Sequence, residues 1–547
     1  MRSLTPRPPH QATALSSSLM GLALLLVVSA CGPGPQAEAA VSNENDLGNV
    51  DFPTSCSEAV QEDLERGVAL LHHMTYVEAR ATFQKTTEQE PDCAMAHWGL
   101  AMSYFQPFWG EHDVAGGRPA AERAVELEAP TERERQYASA VQAYYAASDA
   151  SLGERVRSWE SAMAELHHAF PEDQEAAAFY ALAHLSTAPT DPAVQERSSA
   201  LLEVVLEEEP EHPGAIHYSI HAHDADARAE GGVTHARAYE EVAPSNPHAL
   251  HMPSHIYVRI AEWEEVIEWN RRSADAALEL PDGDGLSLHY AHALDYLMYG
   301  HLQRAQDDEA QVVLQELREG ERYQPAFGAA YALAAVPARW YVERRDWEGA
   351  ADLEPRMPAA FPWDEFPESE AMSHYARGLG AARTGDLDGA RASLDRLHEL
   401  EEASRQAWDD DYWARQIQVK QDAITAWIAM AEGRTEEAVQ AMAQAAELHD
   451  RMEKHGVTPG DLQPAQELLG DLLMELDRPA GALEAYENSL EDWPGRYHTL
   501  LGAARAAEAL GQEEDALAYY AELAERTADT EVEREGVAEA LDRVVSR

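Results

Sequence analysis

Gly470-Asp-Leu-Leu-Met-Glu-Leu-Asp-Arg-Pro-Ala-Gly-Ala482-Leu-Glu-Ala-Tyr486-Glu-Asn-Ser-Leu-Glu-Asp-Trp-Pro494 carries the spacing that decides the fold. A small residue stands twelve positions before an alanine, an aromatic follows that alanine by four, and a proline by twelve. The small residues let two antiparallel helices approach closely, the aromatic fills the wedge between them, and proline ends the second helix. The same rule recurs at Gly67, Ala79, Phe83 and Pro91. Ala516 and Tyr520 repeat the alanine–aromatic step 34 residues after Ala482 and Tyr486.

These residues resemble the tetratricopeptide (TPR) pattern, clearly at both ends and diluted in the middle. Less regular units centre on Ala310, Ala390 and Ala438, with Leu314, Leu394 and Met442 four later. The chain from residue 56 is rich in Ala, Leu, Glu and Arg, which favour helix. Its apolar residues recur three and four apart, and Gly, Pro and Asp-Gly punctuate it at short intervals. The expectation is an all-α protein, an α-solenoid of about twelve TPR-like hairpins with a C-terminal capping helix over Glu531 to Val545. The resemblance implies a concave face that takes a protein or peptide partner, or a small ligand.

The whole chain has 547 residues, 45% hydrophobic and 26% charged, with a net charge of −58. The length exceeds a single core, and the apolar fraction excludes general disorder. So acidic a surface argues against nucleic-acid binding, which needs a basic footprint, and favours basic partners by long-range attraction. Arginine carries nearly all the positive charge, because Lys85, Lys420 and Lys454 are the only lysines.

Residues 1–30 combine Arg2 and Arg7, an apolar run from Leu19 to Val28, and the small residues Ser29 and Ala30. This is the layout of an export signal, too short to span a bilayer. Val28-Ser29-Ala30-Cys31 resembles a bacterial lipobox. The resemblance implies lipidation of Cys31, contact with the membrane through that anchor alone, and a place in the cell envelope. Gly32 after the cysteine favours the outer membrane by the lipoprotein sorting rule. Residues 31–55 then read as the lipidated cysteine and a flexible linker. Three parts follow: hairpins over 56–210, a histidine-rich centre over 211–322, and a C-terminal array over 323–547. In an oxidising compartment Cys56 and Cys93, at equivalent helix starts of neighbouring repeats, are expected to form a disulfide.

Eleven of the 24 histidines fall within 212–301. His217 and His221 are four apart and share a helix face, as do His251 and His255. His289, His292 and Asp295 follow at three-residue steps. Each piece sits in the first helix of its hairpin, so adjacent parallel helices are expected to bring these faces together. Pro253 leaves two readings. Either a helix from Pro247, capped by Ser245 or Asn246, is kinked there, or the helix starts at Pro253 and His251 precedes it. The ligand pool is His217, His221, His251, His255 and His292, with Asp224 and Asp295 as ligands or as partners that orient an imidazole. Such a mixed His/Asp set suits zinc, iron or copper. A structural histidine network is the competing reading, and His212, His223, His235 and His301 are assigned to that plainer role.

Ile216-His217-Tyr218, the string His248-Ala-Leu-His251-Met-Pro-Ser-His255-Ile-Tyr257, and Tyr290-Ala-His292-Ala-Leu-Asp295-Tyr296 also resemble a poorly characterised group of bacterial TPR proteins. Trp263 and Asn270 accompany them, and the group supplies no reaction.

His72-His73 and His167-His168 read as helix-end charges or surface residues. Trp98, Trp109, Trp263, Trp340 and Trp347 read as wedge fillers, and Asp409-Asp410-Asp411 as a solvated run. No zinc-protease His-Glu-x-x-His string, phosphate loop or Gly-x-Ser-x-Gly elbow occurs. Gly378-Leu-Gly380 lacks the preceding strand that a dinucleotide loop needs. The functional expectation is a binding scaffold with a central metal site, and the alternative is a metal-dependent enzyme using the same His/Asp cluster.

Overall fold

The computed structural model describes residues 47–108, 111–147, 149–225, 227–280, 285–408, 410–530 and 534–546. The signal segment, Cys31, Trp109 and Asp409 lie outside the described residues.

Among the described residues the protein is all-helical, with 26 α-helices, one 3-10 turn and a single pair of two-residue strands, Phe105–Gln106 and Glu111–His112. Helix starts follow from side-chain caps that satisfy otherwise orphaned N–H groups. Thr131, Asp173, Asp191 and Asn246 each accept a backbone N–H, and Ser151 with Glu154 forms a reciprocal capping box. Left-handed Gly385, Gly433 and Gly511 lie in the turns that close helices, where a side chain would be strained.

Consecutive helices joined by short turns pack on each other. The small-residue rule is visible as contact. A Cβ on Gly67 or Gly99 would come within 2.5 Å or 2.2 Å of the Phe83 ring, and one on Gly470 or Gly502 within 2.5 Å or 2.3 Å of Tyr486. One aromatic thus fills the space left by a glycine on the helix before it and another on the helix after it. Gly380 serves packing too, since a Cβ there would meet the Ala351 amide at 2.5 Å. Cys56 and Cys93 are disulfide-bonded, tying the entry of the first helix, Glu58–His72, to the start of the third, Ala94–Met102.

Residues 47–55 do not behave as the linker that their composition suggests. Phe52 is fully buried, stacked on Trp98 at 5.1 Å and edge-on to Tyr137 at 5.3 Å, with the Arg133 guanidinium over its face. Ser55 donates its N–H and hydroxyl to Glu134. Leu47 and Val50 pack on the same core beside Phe52.

Contacts also join segments distant in sequence. The helix Glu58–His72 packs on the helix Pro213–His223. Trp263 Nε1–H donates to the Gly495 carbonyl, and Arg526 donates to the Ala261 carbonyl. Arg496, fully buried, joins Glu343 and Glu467. The loop around residues 454–460 lies against the helix Leu288–Gln303, where the Tyr296 hydroxyl donates to the carbonyls of Gly456 and Thr458.

Candidate metal centre

Three inner helical segments supply the central imidazoles. Pro213–His223 is capped by the His212 ring, whose Nδ1 accepts the Ala215 N–H at 3.2 Å. Gly214 lets this helix meet its neighbour, because a Cβ there would lie 2.3 Å from His72 Nδ1. The second segment runs from Pro247 to Arg259 as two short helices joined through Met252, which keeps right-handed helical angles. Asn246 caps it and Pro253 interrupts its hydrogen bonding, so of the two readings the kinked helix is the one found. The third is Leu288–Gln303. All three are buried on almost every side, histidines included, whereas the helices Trp263–Leu278 and Asp307–Glu319 bury one stripe.

His251 and His255 meet tip to tip, with 3.0 Å between their Nε2 atoms. The other nitrogen of each ring decides what this contact means. Asn270 donates its Nδ2 hydrogens to Ser254 Oγ and the Val266 carbonyl, which turns its Oδ1 toward His251. His251 Nδ1–H therefore donates to Asn270 Oδ1 at 2.7 Å. His255 Nδ1–H donates to Asp224 Oδ2 at 2.8 Å. A neutral imidazole carries one N–H, so both Nε2 atoms present lone pairs, and the lone pairs face each other. Only a proton or a cation between them makes that contact favourable. A proton serves two nitrogens and leaves His292 out. The His292 ring lies 4.3 Å from that of His251, and its Nδ1 is buried without a hydrogen-bond partner. A cation serves all three, since candidate donor atoms of His251, His255 and His292 lie within 4.8 Å of one another. Ligands at adjacent positions about an ion, each about 2.0–2.1 Å away, stand about 3 Å apart. The Nε2–Nε2 distance is of that size.

The electrostatics keep the rings ready to coordinate. Burial is the main cause that lowers the proton affinity of His251, followed by the neighbouring His292 and His255. His292 is lowered chiefly by burial as well, and so is His255, against the pull of Asp224. Neutral imidazole is the metal-binding form. Burial alone would raise Asp224, but Lys454 and Arg259 hold it well below the usual carboxylate range. Arg259 Nε lies 2.9 Å and Lys454 Nζ 3.4 Å from its Oδ1. Asp224 is thus an ionised partner that orients His255, the carboxylate–histidine arrangement found behind metal ligands. A cavity of about 110 Å³ adjoins the rings, lined by His221, His255, His292, Phe108, Phe327 and Lys454 among others. It has room for a few waters or one small ligand.

The expected pool divides. His251, His255 and His292 form one set, while His217 and His221 gather with His248 in another. Asp295 takes neither role expected of it. Its two oxygens face Arg339, at 2.7 Å to Nε and 3.5 Å to Nη2, in a fully buried pair. Arg339, 44 residues on, claims the carboxylate that helical spacing had placed beside His292.

His72 and His73 do stand at a helix end, as the last residue and the C-cap of Glu58–His72, but they are not surface residues, since both are completely buried. His72 Nε2 lies 2.7 Å from Glu175 Oε2, its Nδ1 lies 2.9 Å from the Tyr218 hydroxyl, and His212 Nε2 faces Glu175 Oε1 at 3.4 Å. His73 Nδ1 lies 2.6 Å from the Tyr239 hydroxyl and its Nε2 3.0 Å from the Leu47 carbonyl. Sequence reasoning left His72, His248 and Lys454 without a functional role. For His248 the signal was present, since it opens the same string as His251. For His72 the partners lie 103 and 146 residues away, and no local pattern points to them.

No protein-family model matches the chain, and no curated protein matches it.

Proposed function

We propose that the protein binds a divalent transition-metal ion through His251, His255 and His292, with Asp224 and Asn270 orienting the first two rings. The single observation that carries this reading is the 3.0 Å approach of two Nε2 atoms whose partner nitrogens are already donating. Three imidazoles suit zinc, iron or copper and do not choose among them. The scaffold is read as a TPR-like solenoid, supported by the glycine–aromatic wedges at Phe83 and Tyr486. Tethering to the cell envelope through Cys31 is supported by the lipobox-like string and is compatible with the Cys56–Cys93 disulfide, which suits an oxidising compartment.

The cavity beside the imidazoles, about 110 Å³, suits an ion with a small ligand rather than a polypeptide. A protein or peptide partner on a concave face is what the TPR resemblance implies. A second reading, metal-dependent catalysis, is favoured by the cavity beside His255 and His292. Three protein ligands leave a position for water or substrate. In that reading Asp224 keeps the His255 tautomer fixed, and Phe108 and Phe327 restrict water.

Elemental analysis of the purified chain, alongside His251→Ala/His255→Ala, tests the proposal. Metal retained through dialysis and reduced by one equivalent in the variant supports it. A chain that holds no metal after loading, or a variant with unchanged content, contradicts it.

A further inference from the structure

The second histidine set repeats the features of the first on the neighbouring wall. His217 and His221 stand one turn apart on a single helix, their ring centroids 4.9 Å apart. His217 Nδ1–H is committed to the His72 carbonyl at 2.5 Å. Its Nε2 is therefore bare, and it is buried with no hydrogen-bond partner. His221 Nε2 is likewise buried and unpartnered, with its ring lying flat on Phe108 at 4.4 Å. The His248 ring lies 5.0 Å from that of His217, and candidate donor atoms of the three rings fall within 4.8 Å of one another.

The two sets are in contact. The His221 and His255 rings are 5.7 Å apart, those of His248 and His251 are 6.0 Å apart, and His221, His248, His255 and His292 line one cavity. Resting on the reading of His251, His255 and His292 as a metal site, we propose that His217, His221 and His248 hold a second divalent transition-metal ion, making the centre dinuclear. The bare nitrogens of His217 and His221 supply the reason: buried imidazole acceptors are ordinarily satisfied, and these two converge instead on the same side of one helix. Two ions flanking one cavity form a clamp for a small bridging ligand with anionic oxygen, such as hydroxide or a carboxylate. The six imidazoles are neutral ligands, so an anion in the cavity offsets the charge of the ions.

The test uses the full disulfide-bonded chain, stripped with chelator, dialysed to equilibrium against Zn2+ in the presence of a weak competing chelator, and counted by elemental mass spectrometry. The proposal expects two Zn2+ per chain, falling to one in His217→Ala/His221→Ala and to one in His251→Ala/His255→Ala. One Zn2+ in the native chain, lost only in the second variant, overturns the dinuclear centre and leaves the first site standing. None in the native chain overturns both. Two retained by His217→Ala/His221→Ala place the second ion elsewhere and also overturn it. Should either variant fail to fold, anomalous scattering from Zn2+-soaked crystals of the native chain decides: a peak beside His217 and His221 supports the second site, and a single peak beside His251 and His255 refutes it.

Discussion

The histidine sets His72–Glu175–His212 and His251–His255–His292 are equally removed from water, yet their nitrogens are spent differently. In the first, Glu175 lies between two imidazoles, and the remaining ring nitrogens meet the Tyr218 hydroxyl and the Ala215 amide. The set ties together helices more than a hundred residues apart, although His212 Nε2 and Glu175 Oε1, 3.4 Å apart, make no hydrogen bond, and its candidate donor atoms also lie within 4.8 Å of one another. In the second, two rings are oriented from behind, and their Nε2 atoms face each other at 3.0 Å. Equal burial therefore does not mean equal hydrogen bonding: both nitrogens of His72 are bonded, whereas His251 and His255 are each held at Nδ1 with Nε2 turned toward the other.

The largest expected effect is on the response to acid, and it runs across both sets: burial lowers His251, His255 and His292, and it lowers His72 as well. Burial pushes His221 down to about 3, and His289 and His455 to about 4, while the unfolded rings titrate near 6.5. Below about pH 6.5 the unfolded chain binds protons that the metal-free native chain refuses, so stability falls as pH drops toward 4. Each such ring contributes up to about 1.4 kcal/mol per pH unit. His212 runs the other way, because Glu175 outweighs burial and raises it. Its contribution is present in acid and is lost as pH rises through its folded value. Urea unfolding of the metal-free protein from pH 7.5 to 5 should show a steep net loss, and a flat profile would contradict buried imidazoles held neutral by desolvation.

Next in size is Glu175→Ala. It strands two buried imidazoles and should cost about 3–5 kcal/mol, by the same measurement, whether or not metal is bound. Replacing both cysteines of the disulfide with serine should cost about 2–4 kcal/mol. That change should loosen the region of the Glu58–His72 helix, which carries His72, and leave metal content unchanged when equilibrium unfolding and elemental analysis are read together. The smallest effect is expected for His292→Leu in the metal-free protein. An apolar side chain of similar size replaces a buried orphan, so stability should change by under about 1 kcal/mol or rise. A loss of 3 kcal/mol or more would place His292 with the structural set.

Much of this was legible in the chain. Glycine, alanine and aromatic residues at fixed offsets implied closely packed helices, and Gly67, Gly99 and Phe83 pack as that logic requires. The four-residue spacing of His217–His221 and His251–His255 survived even the proline at 253, because Met252 keeps helical angles across the break. The errors came from partners remote in sequence. Asp295 was read beside His292 because helical spacing put it there, but Arg339 holds it. His72 looked like a helix-end charge because nothing near it announces Glu175 or Tyr218. Phe52 sat in a stretch whose composition said linker, and its docking depends on rings supplied by Trp98 and Tyr137. Local periodicity reports which face a side chain occupies; it does not report what waits on the facing helix.

Anomalous diffraction from a crystal of the native chain loaded with Zn2+ locates any ion between His251 and His255. A peak about 2.0–2.1 Å from Nε2 of both His251 and His255 is expected, with a nitrogen of His292 drawn to the same ion. A loaded crystal with no peak there, its two Nε2 atoms still 3.0 Å apart, would mean that a shared proton holds the rings and that the centre is structural.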